Sequence, residues 1–458
     1  MPASVASNDA VYAKIGRRLL PLLLLCYIVA FLDRVNVGFA KLQMTTAMGW
    51  SDAVYGFGAG IFFIGYFLFE VPSNVLLERV GARRWIARIM ITWALVSGAF
   101  AYVDVIPWGP LPGWFGLENT VLGFYALRLL LGMAEAGFFP GIVLYLTYWY
   151  PSERRARTYA RFMTAIAVAN VVGAPLSGWI MEAFDGAGGW SGWRWLFVIE
   201  SVPSLVLGLV VWRMLPDGPS KASWLTRDEA ALVEQQLETE RVAAQNSKAD
   251  GSKGAPSSVR AAFTNASVWW LALVYFASAV SLYGVNFWMP TIIQELGVAR
   301  DAYLQIGLLT MIPWGIAGVG MLWWGAHSDR TGERRWHVSG ALTLTAAGLL
   351  LLALVSGQTV ASLVALSVVA TGVLSAMSTF WSVPTEFLRG TAAAAGIAWI
   401  NSIGNLGGHF GPDLIGRVRT STGSASVALL ALAALALVGA IVAAAVVRPR
   451  TNQSQRPA

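Results

Sequence analysis

The chain has 458 residues, 12% of them charged and 56% hydrophobic. A water-facing surface takes about twice that share of charge, roughly 25% of a soluble chain. Soluble multidomain architectures are thereby excluded, and lipid must cover most of the protein. Lys and Arg outnumber Asp and Glu by 32 to 25, a formal net charge of +7. Cationic loops beside a membrane account for that excess, so it does not require nucleic acid as a partner. The single cysteine, Cys26, lies in an apolar run and rules out an internal disulfide.

Apolar segments lie near 19–40, 54–77, 85–103, 121–145, 160–181 and 195–215. A second set follows near 268–289, 303–326, 338–356, 360–383, 392–414 and 426–447. Each is about the 20 residues that a helix needs to cross the hydrocarbon core. Lys14, Arg17 and Arg18 precede the first segment, which lacks an A-x-A-like cleavage site and is too long for a signal peptide, so it is expected to remain in the protein. With the N-terminus inside, the outer loops hold five cations (Lys41, Arg194, Arg300, Arg417, Arg419) and the short inner loops and tails hold 18. This asymmetry predicts that both termini are cytoplasmic.

Between crossings 6 and 7, Thr226 and Glu229 form a capping-box pattern ahead of a helical stretch over 228–244. Leu232, Val233 and Leu237 are expected to rest one face of it on the membrane surface. Residues 246–258 have the composition of a flexible linker. The predicted organisation is a cytoplasmic tail (1–18), a six-helix bundle (19–215), a linker with an amphipathic helix (216–267), a second bundle (268–447) and a cytoplasmic tail (448–458).

The two halves repeat a loop. Gly325-Ala-His-Ser-Asp329-Arg330-Thr-Gly332-Glu-Arg334-Arg335 follows crossing 8, and Asn74-Val-Leu-Leu-Glu78-Arg79-Val-Gly81-Ala-Arg83-Arg84 follows crossing 2, offset by 251. Pro151-Ser-Glu153 is echoed by Pro384-Thr-Glu386. An acid at a helix end beside several arginines makes a breakable ionic latch, here Glu78, Arg79 and Arg83 in one half and Asp329, Arg330 and Arg334 in the other; a solvated loop that only sets topology is the alternative. The pattern G-x-x-x-D-R-x-G-x-R-R resembles the signature loop of the major facilitator superfamily. The resemblance implies an all-α membrane protein with 12 transmembrane helices in two pseudo-symmetric six-helix bundles. The first copy departs from it at Asn74 and Glu78.

Charges inside a membrane are costly and mark function by default. Asp33 and Arg34 sit in the outer half of crossing 1, about 20 Å from its inner end at 1.5 Å per residue. Arg128 in crossing 4 lies at a similar depth, and Glu135 follows two turns later. These four groups are expected to converge on one pocket. With both acids ionised they sum to zero; with both protonated, two arginines are left to hold a carboxylate, for which the guanidinium fork is matched. Proton and anion would then favour each other's binding, as symport requires. Permanent structural ion pairs are the alternative.

The stretch Phe31-Leu-Asp33-Arg34-Val-Asn36-Val-Gly-Phe-Ala resembles the first helix of the anion:cation symporter family, as does Arg128-Leu-Leu-Leu-Gly132-Met-Ala-Glu135-Ala-Gly137-Phe-Phe-Pro140-Gly141 in crossing 4. That family includes bacterial carriers of sugar acids, tartrate and aromatic acids. The resemblance implies that Arg34 and Arg128 hold the substrate carboxylate and that Asp33 and Glu135 carry protons. Among the remaining polar residues, Tyr66 and Glu70 are placed along the path, Glu70 alternatively pairing with a loop arginine, and Glu200 is read as structural. Tyr283 and Asn286 precede Pro290, where a broken helix would expose backbone groups. Asn401, Asn405 and His409 form a stripe on crossing 11 that either meets substrate hydroxyls or knits helices together.

The reading is a monomeric, proton-coupled importer of a small organic carboxylate in a bacterial inner membrane, with a rocking-bundle cycle. The alternative is a proton-coupled exporter of drugs or metabolites. The sequence has no Gly-rich phosphate loop and no metal-ligand cluster, its three histidines being scattered at 327, 337 and 409. Neither an enzyme nor any cofactor beyond the coupling proton is expected.

Overall fold

The structure is a computed structural model that describes residues 2–249, 264–355, 357–387 and 390–447. Every regular element among the described residues is a helix. The first crossing is formed by α1 (Pro2–Val35) with α2 (Val37–Met48), the second by α3 (Asp52–Val80) and the third by α4 (Ala82–Ala99). A loop helix, α5 (Leu111–Phe115), precedes the fourth crossing, which is split into α6 (Asn119–Glu135) and α7 (Phe138–Thr147). The fifth and sixth are α8 (Ser152–Ala183) and α9 (Gly192–Met214), and α10 (Arg227–Ala249) follows them. The second set is α11 (Ala266–Gln294), α12 (Tyr303–Thr331), α13 (Arg335–Leu354), α14 (Thr359–Phe380) with α15 (Ser382–Phe387), α16 (Gly390–Thr422) and α17 (Ser426–Val446).

Eleven of these crossings are long and apolar enough to span a membrane. The other, α16, is 33 residues long and carries Asn401, Asn405, His409, Asp413 and Arg417. An even number of crossings leaves Pro2 and Val447 on one side of the protein, the termini face, opposite the far face.

The first and second sets of helices meet chiefly where α3 packs on α16, α8 on α12 and α2 on α11. Close approach at the first of these depends on missing side chains: a Cβ at Gly56 would stand 2.5 Å from the Pro412 carbonyl oxygen. The break in crossing 4 also rests on glycine. Gly137 has φ +84°, a left-handed conformation that side chains other than glycine adopt at a cost of order 1–3 kcal/mol, and a Cβ there would strike the Ser73 side chain. Gly137→Val should therefore lower the midpoint of thermal unfolding, followed by tryptophan fluorescence, by several degrees, with α6 and α7 no longer free to diverge after Glu135.

The residues read as an N-terminal tail are the start of α1 and pack onto the protein, with Val11, Tyr12 and Ile15 buried. The capping box forms as its spacing predicts: the Thr226 amide donates to Glu229 (2.8 Å) and the Glu229 amide to Thr226 Oγ1 (3.2 Å). The face of α10 expected to lie on lipid lies on protein instead, with Val233 fully buried and Leu232 and Leu237 packed against the core. Lys14 donates to Glu229 (2.7 Å), Tyr12 to Gln236 (2.7 Å) and the Ser152 amide to Glu240 (2.9 Å). Lys14 and the Thr226 amide hold the Glu229 carboxyl below its usual range, so that link is intact at neutral pH and is lost only on acidification beyond the ordinary carboxylate range. Most of the linker read over 246–258, and the tail 448–458, lie outside the described residues. Pro290 does not break its helix; α11 continues through it to Gln294.

Candidate substrate site

Arg34 on α1 is the centre of the site. Its Nη2 donates to Glu135 Oε1 at the end of α6, and its Nη1 donates to the Tyr283 hydroxyl on α11 (3.2 Å). The guanidinium is surrounded by the rings of Phe31, Phe62 and Tyr66, with centroids at 5.7, 5.4 and 5.6 Å. Arg34 is 7% exposed and Glu135 1%. Because Glu135 is the last residue before the break at Ala136, its carboxylate is delivered to the middle of the protein by a helix that stops there.

Arg34 lines a cavity of about 40 Å³ together with Tyr66, Tyr275, Tyr283, Asn401 and Asn405. That volume holds two or three waters, so the site is contracted. Tyr66, Asn401 and Asn405 are thus placed with Arg34 as the sequence suggests. The stripe on α16 divides. Asn401 lines the cavity and donates to Glu70 (2.6 Å), with Ser402 also donating to Glu70 (3.3 Å), whereas His409 faces the Phe57 ring of α3 at 5.4 Å. Glu70 is therefore bonded to α16 and not to a loop arginine.

The expected convergence of four charges on one pocket is corrected at two of them, Asp33 and Arg128, and Asn286 also lies apart from that pocket. Asp33 turns away from the cavity, accepting bonds from Trp93 (3.0 Å) and Ser97 (2.9 Å) on α4 and from Ser204 on α9. Arg128 lies behind Phe62, its guanidinium 5.1 Å from that ring on which Arg34 also rests. It donates to the backbone oxygens of Gly58 (3.3 Å) and Ala59 (2.9 Å) on α3, and its Nη1 has no hydrogen-bond partner among the described residues. Asn286 donates to Asn170 on α8 (2.9 Å) and lines a separate cavity of about 20 Å³. The two arginines thus flank one aromatic ring but share no open space in this conformation.

The latches are local here. Arg334 bonds Asp329 (2.6 Å) and Ser328 (2.8 Å) within its own loop, and Arg330 donates to the Ala326 carbonyl (3.3 Å). Glu78 and Arg79 form no ion pair among the described residues. The Arg83 amide donates to Asp217 (2.9 Å), an acid just beyond crossing 6 that sequence reasoning passed over. Glu153 stands beside Arg154 in a termini-face groove, and the side chain of its counterpart Glu386 lies outside the described residues.

A clasp between the two sets of helices was also missed, its members having counted only as loop charges. On the far face Asp52 accepts from Lys41 (2.9 Å) and from Arg419 on α16 (2.9 Å), and Arg419 also bonds Glu295 (2.5 Å). Trp288 lies under both cations, at 4.6 Å from Lys41 and 5.2 Å from Arg419. Asp52→Asn should loosen this closure. A cysteine placed at Asn405, with the buried Cys26 as a silent background, should then react several-fold faster with an impermeant maleimide added from the far face.

Residues 23–412 match the profile of the Major Facilitator Superfamily. The chain belongs to that family; it is an integral membrane transporter, not an enzyme. It is 47% identical to a protein of Agrobacterium vitis provisionally named a tartrate transporter, over 95% of this chain and 92% of the other. It is 40% identical to a quinolone resistance transporter of Acinetobacter baumannii, over 93% and 92%. A crystal structure of a D-xylose-proton symporter shares the fold, with a TM-score of 0.69 at 14% identity over 94% of this chain and 98% of that one.

Proposed function

We propose that this protein imports a small organic carboxylate by proton symport, through rocking-bundle alternating access, as a monomer in a bacterial inner membrane with the termini face cytoplasmic. The observation that carries this reading is the pairing of Arg34 with Glu135 at the edge of a cavity whose other polar lining is tyrosines and asparagines, set among apolar side chains. A buried guanidinium must have a partner, since leaving one uncompensated costs roughly 3–5 kcal/mol. A substrate carboxylate and Glu135 compete for the same fork. Protonating Glu135 gives the fork to the substrate, and substrate binding in turn favours the protonated acid, so the two ligands load and unload together. Tyr66, Asn401 and Asn405 then face the remainder of the substrate, in a cavity that must widen to admit it. Arg128 braces the ring behind Arg34 and joins the anion contacts once Phe62 moves. Asp33 serves the proton path as a buried carboxylate, and no cofactor beyond the coupling proton takes part. The likeness to the Agrobacterium protein named for tartrate supports an organic acid as cargo.

A proton-coupled exporter is the second reading, favoured by the likeness to a quinolone resistance transporter and by the aromatic lining of the cavity. Proteoliposomes separate the two. An inward proton gradient should drive accumulation of labelled tartrate, and a protonophore should abolish it. Proton-driven extrusion of cationic dyes, with no carboxylate uptake across a panel of hydroxy, sugar and aromatic acids, would replace the importer with the exporter.

A further inference from the structure

The charges in the interior do not balance. With the buried Lys41 set aside because it is paired with Asp52, Asp33, Glu70, Glu135 and Glu200 are buried with Arg34 and Arg128, four acids to two bases. Fully ionised, the set would carry −2 in a medium where isolated charge is expensive, so protons must reside on some of these acids. Hydrogen bonds indicate which acid is charged and which is neutral. Asp33 accepts from three donors, one of them the indole N–H of Trp93, which can only donate. A carboxyl group so fully supplied with donors is built to be ionised. Glu200 is 3% exposed and receives one bond, from Ser177 on α8 (2.7 Å), leaving its Oε2 without a hydrogen-bond partner among the described residues.

The two acids belong to one cluster. Glu200 and Ser204 are one turn apart on α9, and Ser204 donates to Asp33. Around Glu200, α1 brings Asp33 and Asn36, whose amide is near the carboxyl without closing a well-formed hydrogen bond, α8 brings Ser177, and α4 brings Trp93 and Ser97 to the shared partner Asp33. Arg194, near the outer end of α9, is engaged by Asp104 (2.7 Å). Asp33 is therefore the ionisable group that faces Glu200. Two neighbouring carboxyls with no cation between them do not both ionise.

We propose that Glu200 is a proton-holding residue of the transport cycle, kept neutral by the ionised Asp33, at a site separate from the substrate cavity. The proposal rests on the proton-symport reading and deepens it. The coupling proton then has two stations, Glu135 against Arg34 and Glu200 against Asp33, and Asp33 serves as the fixed charge that sets the second one. Glu200 touches no part of the cavity that would receive substrate, so its effect is on proton occupancy and not on anion contacts.

Infrared difference spectroscopy of the purified protein tests this without substrate. The native protein at neutral pH should show carbonyl-stretch absorption of protonated carboxylic acid, and Glu200→Gln should remove one band from it. Asp33→Asn, by deleting the neighbouring charge, should make the same band fade at a lower pH than in the native protein, a change that a merely structural Glu200 would not produce. If Glu200→Gln does not fold, Ser177→Ala supplies the assignment by shifting the frequency of the band. A neutral-pH spectrum with no protonated-acid band, or one indifferent to Glu200→Gln or Ser177→Ala, overturns the proposal. Failure of the symport reading is seen separately, as absence of proton-driven carboxylate uptake by the native protein.

Discussion

Glu135→Gln is expected to retain substrate counterflow and to lose proton-driven accumulation entirely, the inside-to-outside ratio settling at one. Glutamine preserves shape and can still accept from Arg34, but it neither ionises nor takes up a proton. It also competes weakly for the guanidinium, so affinity for the carboxylate should rise and lose its dependence on pH. In the empty variant Arg34 is buried with no counter-charge, a situation worth roughly 3–5 kcal/mol of destabilisation. Added substrate restores the charge, so the thermal shift on binding should exceed that of the native protein. Both effects can be read in one preparation by counterflow and by thermal unfolding with and without substrate. Undiminished accumulation by Glu135→Gln would remove Glu135 from the coupling scheme.

Arg34→Ala should weaken binding by about 30-fold or more, as follows from removing one member of a buried charge pair at about 2–5 kcal/mol. Arg34→Lys should recover only part of this, because an ammonium cannot reach Glu135 and Tyr283 with a rigid fork. Arg128→Lys should be the milder change of the two lysine variants, since the contacts of Arg128 in this conformation are backbone oxygens of α3. Isothermal calorimetry on the three variants orders these contributions. Equal affinity in Arg34→Ala and the native protein would show that the anion is held elsewhere.

Much of the architecture was readable from runs of apolar residues, because a membrane sets the length of a crossing and leaves few alternatives. Within the site, Arg34, Tyr66, Asn401 and Asn405 line one cavity; the four-residue spacing put the two asparagines on one face and left open whether that face met substrate or another helix. Asp33 was misplaced for a reason that the sequence itself contains. Consecutive residues on a helix point about 100° apart at 3.6 residues per turn, so Asp33 and Arg34 cannot both face one pocket. Arg128 was misplaced because depth alone says nothing of azimuth. Its carbonyl partners are Gly58, where a Cβ would strike Phe124 of α6, and Ala59, and only assembled helices reveal that approach of α6 to α3. The far-face clasp was illegible because its charges come from the ends of four helices, distant in sequence and individually ordinary. Pro290 shows the converse, a local breaker overridden by burial of nearly the whole of α11.

With the termini face cytoplasmic, as proposed, the far-face clasp ties alternation to the medium outside the cell. Asp52 and Glu295 keep part of their side-chain surface in contact with solvent, 26% and 51%. Dissolved ions therefore reach the clasp, and at roughly 0.15 M the screening length is about 8 Å. Brine on that side weakens the attraction that keeps the outer mouth shut while leaving the dry Arg34–Glu135 pair nearly untouched. Under the proton-symport reading, salinity then acts on how often the carrier opens to its surroundings, and acidity on what it accepts when it does.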